Sequence, residues 1–117
     1  MSEILQRAKT HFRDRLSADM EYVSCPEWGE EDKPLKIYYK PSTLEQRNRI
    51  YSYLKDGNLK FIAQTLIERA LKEDESPMFR KVHMTELMKS VDPDVIQYIV
   101  AEMAAGEDDE MDAEKNS

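Results

Sequence analysis

Between Cys25 and Lys40 the hydrophobic pattern leaves its helical period and begins to alternate residue by residue, and no other feature of the chain constrains the fold as much. The stretch Cys25-Pro26-Glu27-Trp28-Gly29-Glu30-Glu31-Asp32-Lys33-Pro34 carries the only tryptophan, and Leu35-Lys36-Ile37-Tyr38-Tyr39-Lys40 follows it. Tyr22-Val23-Ser24-Cys25 and Leu35–Tyr39 are rich in β-branched and aromatic residues, with Pro, Gly and acidic turn formers between them, so an antiparallel hairpin is expected over about 21–40. Alternation puts Leu35, Ile37 and Tyr39 on one face and Lys36, Tyr38 and Lys40 on the other. Two strands alone are marginal in water, so this ribbon needs helices, or a ribbon from another chain, to pack on.

The rest reads as helix. Ile4, Leu5, Ala8, Phe12 and Leu16 recur at intervals of three to four, which predicts an amphipathic helix over 3–18. Its narrow stripe suits either a docking helix or a helix that covers one edge of its own core, and the second is the ordinary use in a small domain. Ser42-Thr43-Leu44-Glu45 fits a capping box with Ser42 as the cap, opening a helix whose inner side would hold Leu44, Arg47, Ile50, Tyr51 and Leu54. Asp56-Gly57-Asn58 supplies a stop, and the next helix, about Leu59 to Lys72, has the widest apolar stripe: Leu59, Ile62, Ala63, Leu66, Ile67, Ala70 and Leu71. That stripe marks the centre of the core. After the Glu73-Asp74-Glu75-Ser76-Pro77 turn, Met78-Phe79 forms an apolar anchor, and a short helix is expected over about Met84–Ser90 with Leu87 and Met88 inward. Asp92-Pro93-Asp94 is a strong helix start, with Asp92 as N-cap and Pro93 where its missing amide costs nothing. Val95, Ile96, Ile99, Val100 and Met103 continue that helix to near Gly106.

Charge and length narrow the function classes. The 117 residues carry a formal net charge of −7, but Glu107, Asp108, Asp109, Glu110, Asp112 and Glu114 against Lys115 account for −5 of it. The body of the chain is therefore nearly neutral, which argues against nucleic acid or anionic lipid as partners. Residues 1–105 are expected to form one domain and 106–117 a disordered acidic tail without hydrophobic periodicity. One cysteine permits no internal disulfide, which fits a reducing compartment, and no segment approaches the ~20 apolar residues of a membrane span. The fold class expected is mainly α (α+β): four to five helices and one antiparallel β-hairpin in the N-terminal third.

No constellation supports catalysis, a cofactor or a metal. His11 and His83 are far apart, and neither sits in a nucleophile or metal motif with Cys25, which has no basic neighbour to lower its pKa. Gly29, Gly57 and Gly106 stand singly at predicted turns rather than in a phosphate-cradling loop. Met78, Met84, Met88 and Met103 are suited to gap-filling in a small core, the commoner use, or to an adaptable groove for a partner helix. Trp28 suits an anchor for the ribbon or an exposed interface residue. The candidate partner-binding residues are accordingly Trp28, Tyr38, Tyr39, Met78, Phe79, Met84 and Met88.

The order of these features is itself informative. A strand leading into Cys25-Pro26-Glu27-Trp28-Gly29 is followed by an aromatic strand and a capped helix with Leu44-Glu45-Gln46-Arg47. Then come an apolar helix ending Ile67-Glu68-Arg69-Ala70-Leu71, the acidic turn to Pro77-Met78-Phe79, and a last helix from Asp92-Pro93-Asp94-Val95-Ile96. Over about 20–104 this resembles the tail assembly chaperones of long-tailed bacteriophages. The acidic turn lacks the glycine often seen there, and the N-terminal helix has no role that the resemblance assigns. The resemblance implies a non-enzymatic protein of the bacterial host cytoplasm, absent from the mature virion. Its partner would be the tape-measure protein, kept soluble until the tail tube polymerises around it, with self-association and contact with the tail-tube protein as further expectations. The competing expectation is a small acidic regulatory adaptor that binds a cytoplasmic host or phage protein.

Overall fold

The computed structural model describes residues 2–106 in full. In chain order the elements are α1 (Glu3–Ser17), β1 (Glu21–Glu30), β2 (Lys33–Tyr39), α2 (Leu44–Tyr51), a 3₁₀ turn (Ser52–Asp56), α3 (Asn58–Arg69), a 3₁₀ turn (Lys81–His83), α4 (Met84–Ser90) and α5 (Pro93–Asn116). Five helices and one antiparallel hairpin make the expected small α+β domain. Of the disordered acidic tail expected over 106–117, residues 107–117 lie outside those described in full. Gly106, read as a turn, lies inside α5.

The hairpin pairs Glu21 with Tyr39, Val23 with Ile37 and Cys25 with Leu35, and closes at Glu30 and Lys33 around Glu31-Asp32. Between Cys25 and Glu30 the register shifts, and Gly29 sits where a β-carbon would fall 2.8 Å from the Cα of Pro34, so the glycine allows the strands to close. Alternation holds as read: Ile37 and Tyr39 are buried and Leu35 half-buried, while on the opposite face Tyr22 and Tyr38 pack ring to ring at 5.6 Å. The free edge of β2 is joined at one point by the chain after α3, where Tyr38 and Leu71 exchange backbone hydrogen bonds of 3.0 and 2.8 Å. This is why α3 stops at Arg69 rather than running to Lys72.

Helix α5 packs on both α3 and β1, and the core forms between them from Val23, Cys25, Ile37, Leu66, Ile67, Ala70, Leu87, Ile96, Ile99 and Met103. Leu66 is fully buried, so α3 is the centre of the core as expected, but its N-terminal Leu59 is 58% exposed. Buried Arg69 donates to the Lys40 carbonyl at 2.8 Å and lies 5.4 Å over the Tyr39 ring, which fixes the C-terminal end of α3 against β2.

Several finer expectations need correction. The cap of α2 is Thr43, whose hydroxyl accepts from the Gln46 amide at 3.0 Å, and Ser42 instead accepts from Arg47 Nε at 2.8 Å. Thr43-Leu44-Glu45-Gln46 satisfies the same capping pattern one residue later. Of the predicted inner side of α2 only Ile50 is buried, while Leu44, Tyr51 and Leu54 are exposed, because this short helix meets α3 along a single line. Met88 is 46% exposed rather than inward. Helix α1, expected more readily as a cover for the core, has no buried residue.

Candidate functional site

The ribbon tip, the turn after α3 and helix α4 converge on an apolar groove. Its walls are Trp28 and Leu35 from the hairpin, Lys72, Met78 and Phe79 from the turn, and Leu87 with Val91 from α4 and its end, around about 520 Å³. Each wall is placed by local physics. Trp28 lies within the strand irregularity that Gly29 makes possible, and Leu35 points inward by alternation. Phe79 meets the Trp28 ring edge-on at 6.0 Å and 73° and the His83 ring at 6.3 Å, an aromatic row with the favoured geometry.

The turn that carries Met78 and Phe79 is held from within. Asp74 accepts from the Ser76 amide at 3.0 Å and from its hydroxyl, and these hydrogen bonds hold its carboxyl below the usual carboxylate range. Glu75 takes φ 72, the left-handed conformation for which a glycine is the usual residue, and its carboxylate pairs with Lys40. Met78 then donates its amide to the Ala70 carbonyl at 3.0 Å, which brings the apolar pair back to the end of α3. His83 accepts the Arg80 amide on Nδ1 at 2.9 Å, opening the 3₁₀ turn into α4.

A second, smaller groove of about 190 Å³ adjoins the first across Leu87 and Val91 and is lined by Leu59, Ile62, Met88 and Pro93 among others. Of the seven candidate residues, Trp28, Met78 and Phe79 therefore share one groove and Met88 stands in its neighbour. Met84 is partly buried against the core. Tyr38 faces the other side of the ribbon beside Tyr22, and Tyr39 is a core residue whose hydroxyl donates to Glu21 at 2.7 Å, out of reach of a partner. The walls that sequence reasoning did not single out are Leu35, Lys72, Leu87 and Val91. Leu35 and Leu87 were legible as inward residues, but nothing in the pattern said they would border an open surface.

Groove chemistry is that of apolar contact. Lys72 is the one charged wall residue. Among the described residues no group of three or more His, Cys, Asp and Glu is placed to hold a metal, and no helix is long and apolar enough to cross a membrane. Cys25 is sealed in the core, where burial pushes its thiol up from the ordinary 9.0, away from the reactive thiolate.

The five helices and the docked hairpin give the chain a fold like that of a phage tail assembly chaperone. The chain is similar to the solved structure of the bacteriophage HK97 tail assembly chaperone, with 16% identity, a TM-score of 0.54, and coverage of 83% of this chain and 90% of that one. No family model and no curated protein matches the sequence.

Proposed function

We propose that this chain is a non-enzymatic phage tail assembly chaperone. It binds the tape-measure protein in the host cytoplasm, keeps it soluble until the tail tube polymerises around it, and does not enter the virion. The observation that carries the reading is the apolar groove of Trp28, Met78, Phe79, Leu87 and Val91, on a fold like that of the HK97 chaperone. A groove walled by carbon and thioether, with few polar groups to fix an orientation, accepts apolar faces of a helix with little regard to its sequence. Copies of the chain associate with one another, and many such contacts along one long helix add up to avidity while each stays weak enough to be displaced. The tail-tube protein is the component that displaces them.

The test is co-expression with a tape-measure protein of a long-tailed phage. The expected result is that the tape-measure protein moves from the insoluble to the soluble fraction and is recovered with the chaperone. If it stays insoluble and none is recovered above background, the proposal fails.

A further inference from the structure

A further cavity, of about 280 Å³ and apart from both apolar grooves, lies between α2, α3 and α5. Arg47 and Arg69 line it together with the hydroxyls of Ser42 and Thr65, and Val100 and Ala104 form its α5 side. Among its described walls none is acidic. Arg47 Nε is oriented by the Ser42 hydroxyl at 2.8 Å, and Arg69 by the Lys40 carbonyl at 2.8 Å. Arg69 is only 7% exposed, so two like charges border one cavity and one of them is largely out of water, an arrangement that an anion between them stabilises. The neighbouring cations already have carboxylates: Arg49 lies 3.7 Å from Glu45 and 3.4 Å from Glu68, and Lys40 pairs with Glu75.

The course of α5 supplies the anion. Val100 and Ala104 face the cavity, and the positions that follow them on the same side of a helix, three and four after Ala104, are Glu107 and Asp108. These two open the most acidic stretch of the chain, since residues 107–114 hold six acids and no base. The end of the helix is also close to the guanidinium: Gly106 lies against the Tyr39 hydroxyl, and Arg69 stands 5.4 Å over the Tyr39 ring. The Glu21 carboxylate reaches Gly106 as well, so the acids that follow meet one like charge beside the two guanidiniums. We infer that Glu107 and Asp108 seat their carboxylates between Arg47 and Arg69 of the same chain, so that the acidic segment is an internal ligand tying the end of α5 to α2 and α3. Guanidinium forks suit carboxylates in paired, charge-assisted hydrogen bonds. Attachment through α5 gives the segment a high effective concentration at the cavity, which puts the same segment of a second copy at a disadvantage. The inference is independent of the apolar groove and of the tape-measure reading.

Urea unfolding of the full chain tests it. Glu107→Gln/Asp108→Asn keeps the shape of the segment and removes its charge at the cavity, and with Arg47→Gln it completes a double-mutant cycle. Each change should lower the folding equilibrium constant, and the joint loss should fall short of the sum of the two by at least about fivefold. That coupling should be the same at every protein concentration and should shrink near 1 M salt. Arg47→Lys chains treated with a carbodiimide should form an amide from position 47 to Glu107 or Asp108, and in a mixture of isotope-labelled and unlabelled chains it should join positions of one chain. Additive losses without such an amide overturn the assignment. An amide that joins labelled to unlabelled chains gives the cavity to a second copy and overturns it too. Inorganic phosphate that stabilises the wild type as strongly as Glu107→Gln/Asp108→Asn would show a cavity open to free anions, and that also overturns it.

Discussion

Gly106 of α5 lies against the Tyr39 hydroxyl so closely that a β-carbon at this position would fall well inside contact distance of it, and 2.9 Å from a carboxylate oxygen of Glu21. Helix α5 therefore meets the hairpin where Tyr39 donates to Glu21 at 2.7 Å. Two effects compete in Gly106→Ala. Alanine raises helix propensity by up to about 1 kcal/mol, while overpacking costs roughly 1–3 kcal/mol. The second is expected to win, with a net loss of about 1–2 kcal/mol in urea unfolding, partly restored by Tyr39→Phe, which removes the obstructing oxygen. A gain in stability from the alanine would show that α5 stands off the ribbon.

Thr43→Ala should cost about 1 kcal/mol, because it leaves the Gln46 amide without its cap. Ser42→Ala removes the contact with Arg47 but leaves the Gln46 amide capped, and should cost less. Comparing the two chemical denaturation midpoints decides the cap. The reverse order would return it to Ser42.

The cap shows what kind of information the sequence carried. Both Ser42 and Thr43 satisfied a capping pattern, so the helix was legible and its first residue was not. The hairpin, its inner and outer faces, α4 and the Asp92 start were all readable, since each depends on local periodicity or on one residue's own backbone preference; Asp92 accepts the Asp94 amide at 3.0 Å as expected of a cap. Partners were not readable. Periodicity assigned α1 an apolar face but could not say that no residue of it would be fully buried by its own domain. The exchange of hydrogen bonds between Leu71 and Tyr38, which ends α3 early, joins residues 33 apart in sequence and leaves no local trace. The same limit applied to the groove: Trp28, Met78 and Phe79 were legible as apolar anchors, but their meeting depends on the Glu75 conformation, where a non-glycine residue holds φ 72.

Leu66→Ala should destabilise the domain by about 2–5 kcal/mol, since the side chain is fully buried at the centre of α3. Leu59→Ala, on the same predicted stripe but 58% exposed, should stay within about 0.5 kcal/mol. Thermal or urea unfolding of the pair checks the orientation of α3. Similar losses at both positions would mean that Leu59 is covered.

Cys25 should resist thiol-reactive probes in the native protein and react on unfolding. Burial raises its pKa in the folded state above the ordinary 9.0, so its contribution to stability is fully present below the unfolded pKa and is lost as pH rises through the folded value. Stability should therefore fall on the alkaline side, and Cys25→Ala should flatten that part of the profile while opening a small cavity that lowers stability at neutral pH. Rapid labelling under native conditions would show that the ribbon lifts from α5 far more often than the whole domain unfolds.

Trp28 is the only tryptophan, so the intrinsic fluorescence of the chain reports on one wall of the groove. The ring is half-buried, packed edge-on against Phe79 with its remaining surface open to water. An apolar helix entering the groove would remove that water, and emission should shift to the blue and become harder to quench with iodide. Titration with a fragment of the tape-measure protein is expected to give a saturable shift. Val91→Glu places a charge in the wall and should weaken the interaction by at least about tenfold, or about 1.4 kcal/mol. The same titration with Tyr22→Ala, on the far face of the ribbon, should leave the affinity unchanged. If the fragment binds by sedimentation while Trp28 emission stays constant, the partner lies on another surface and the groove is not its seat.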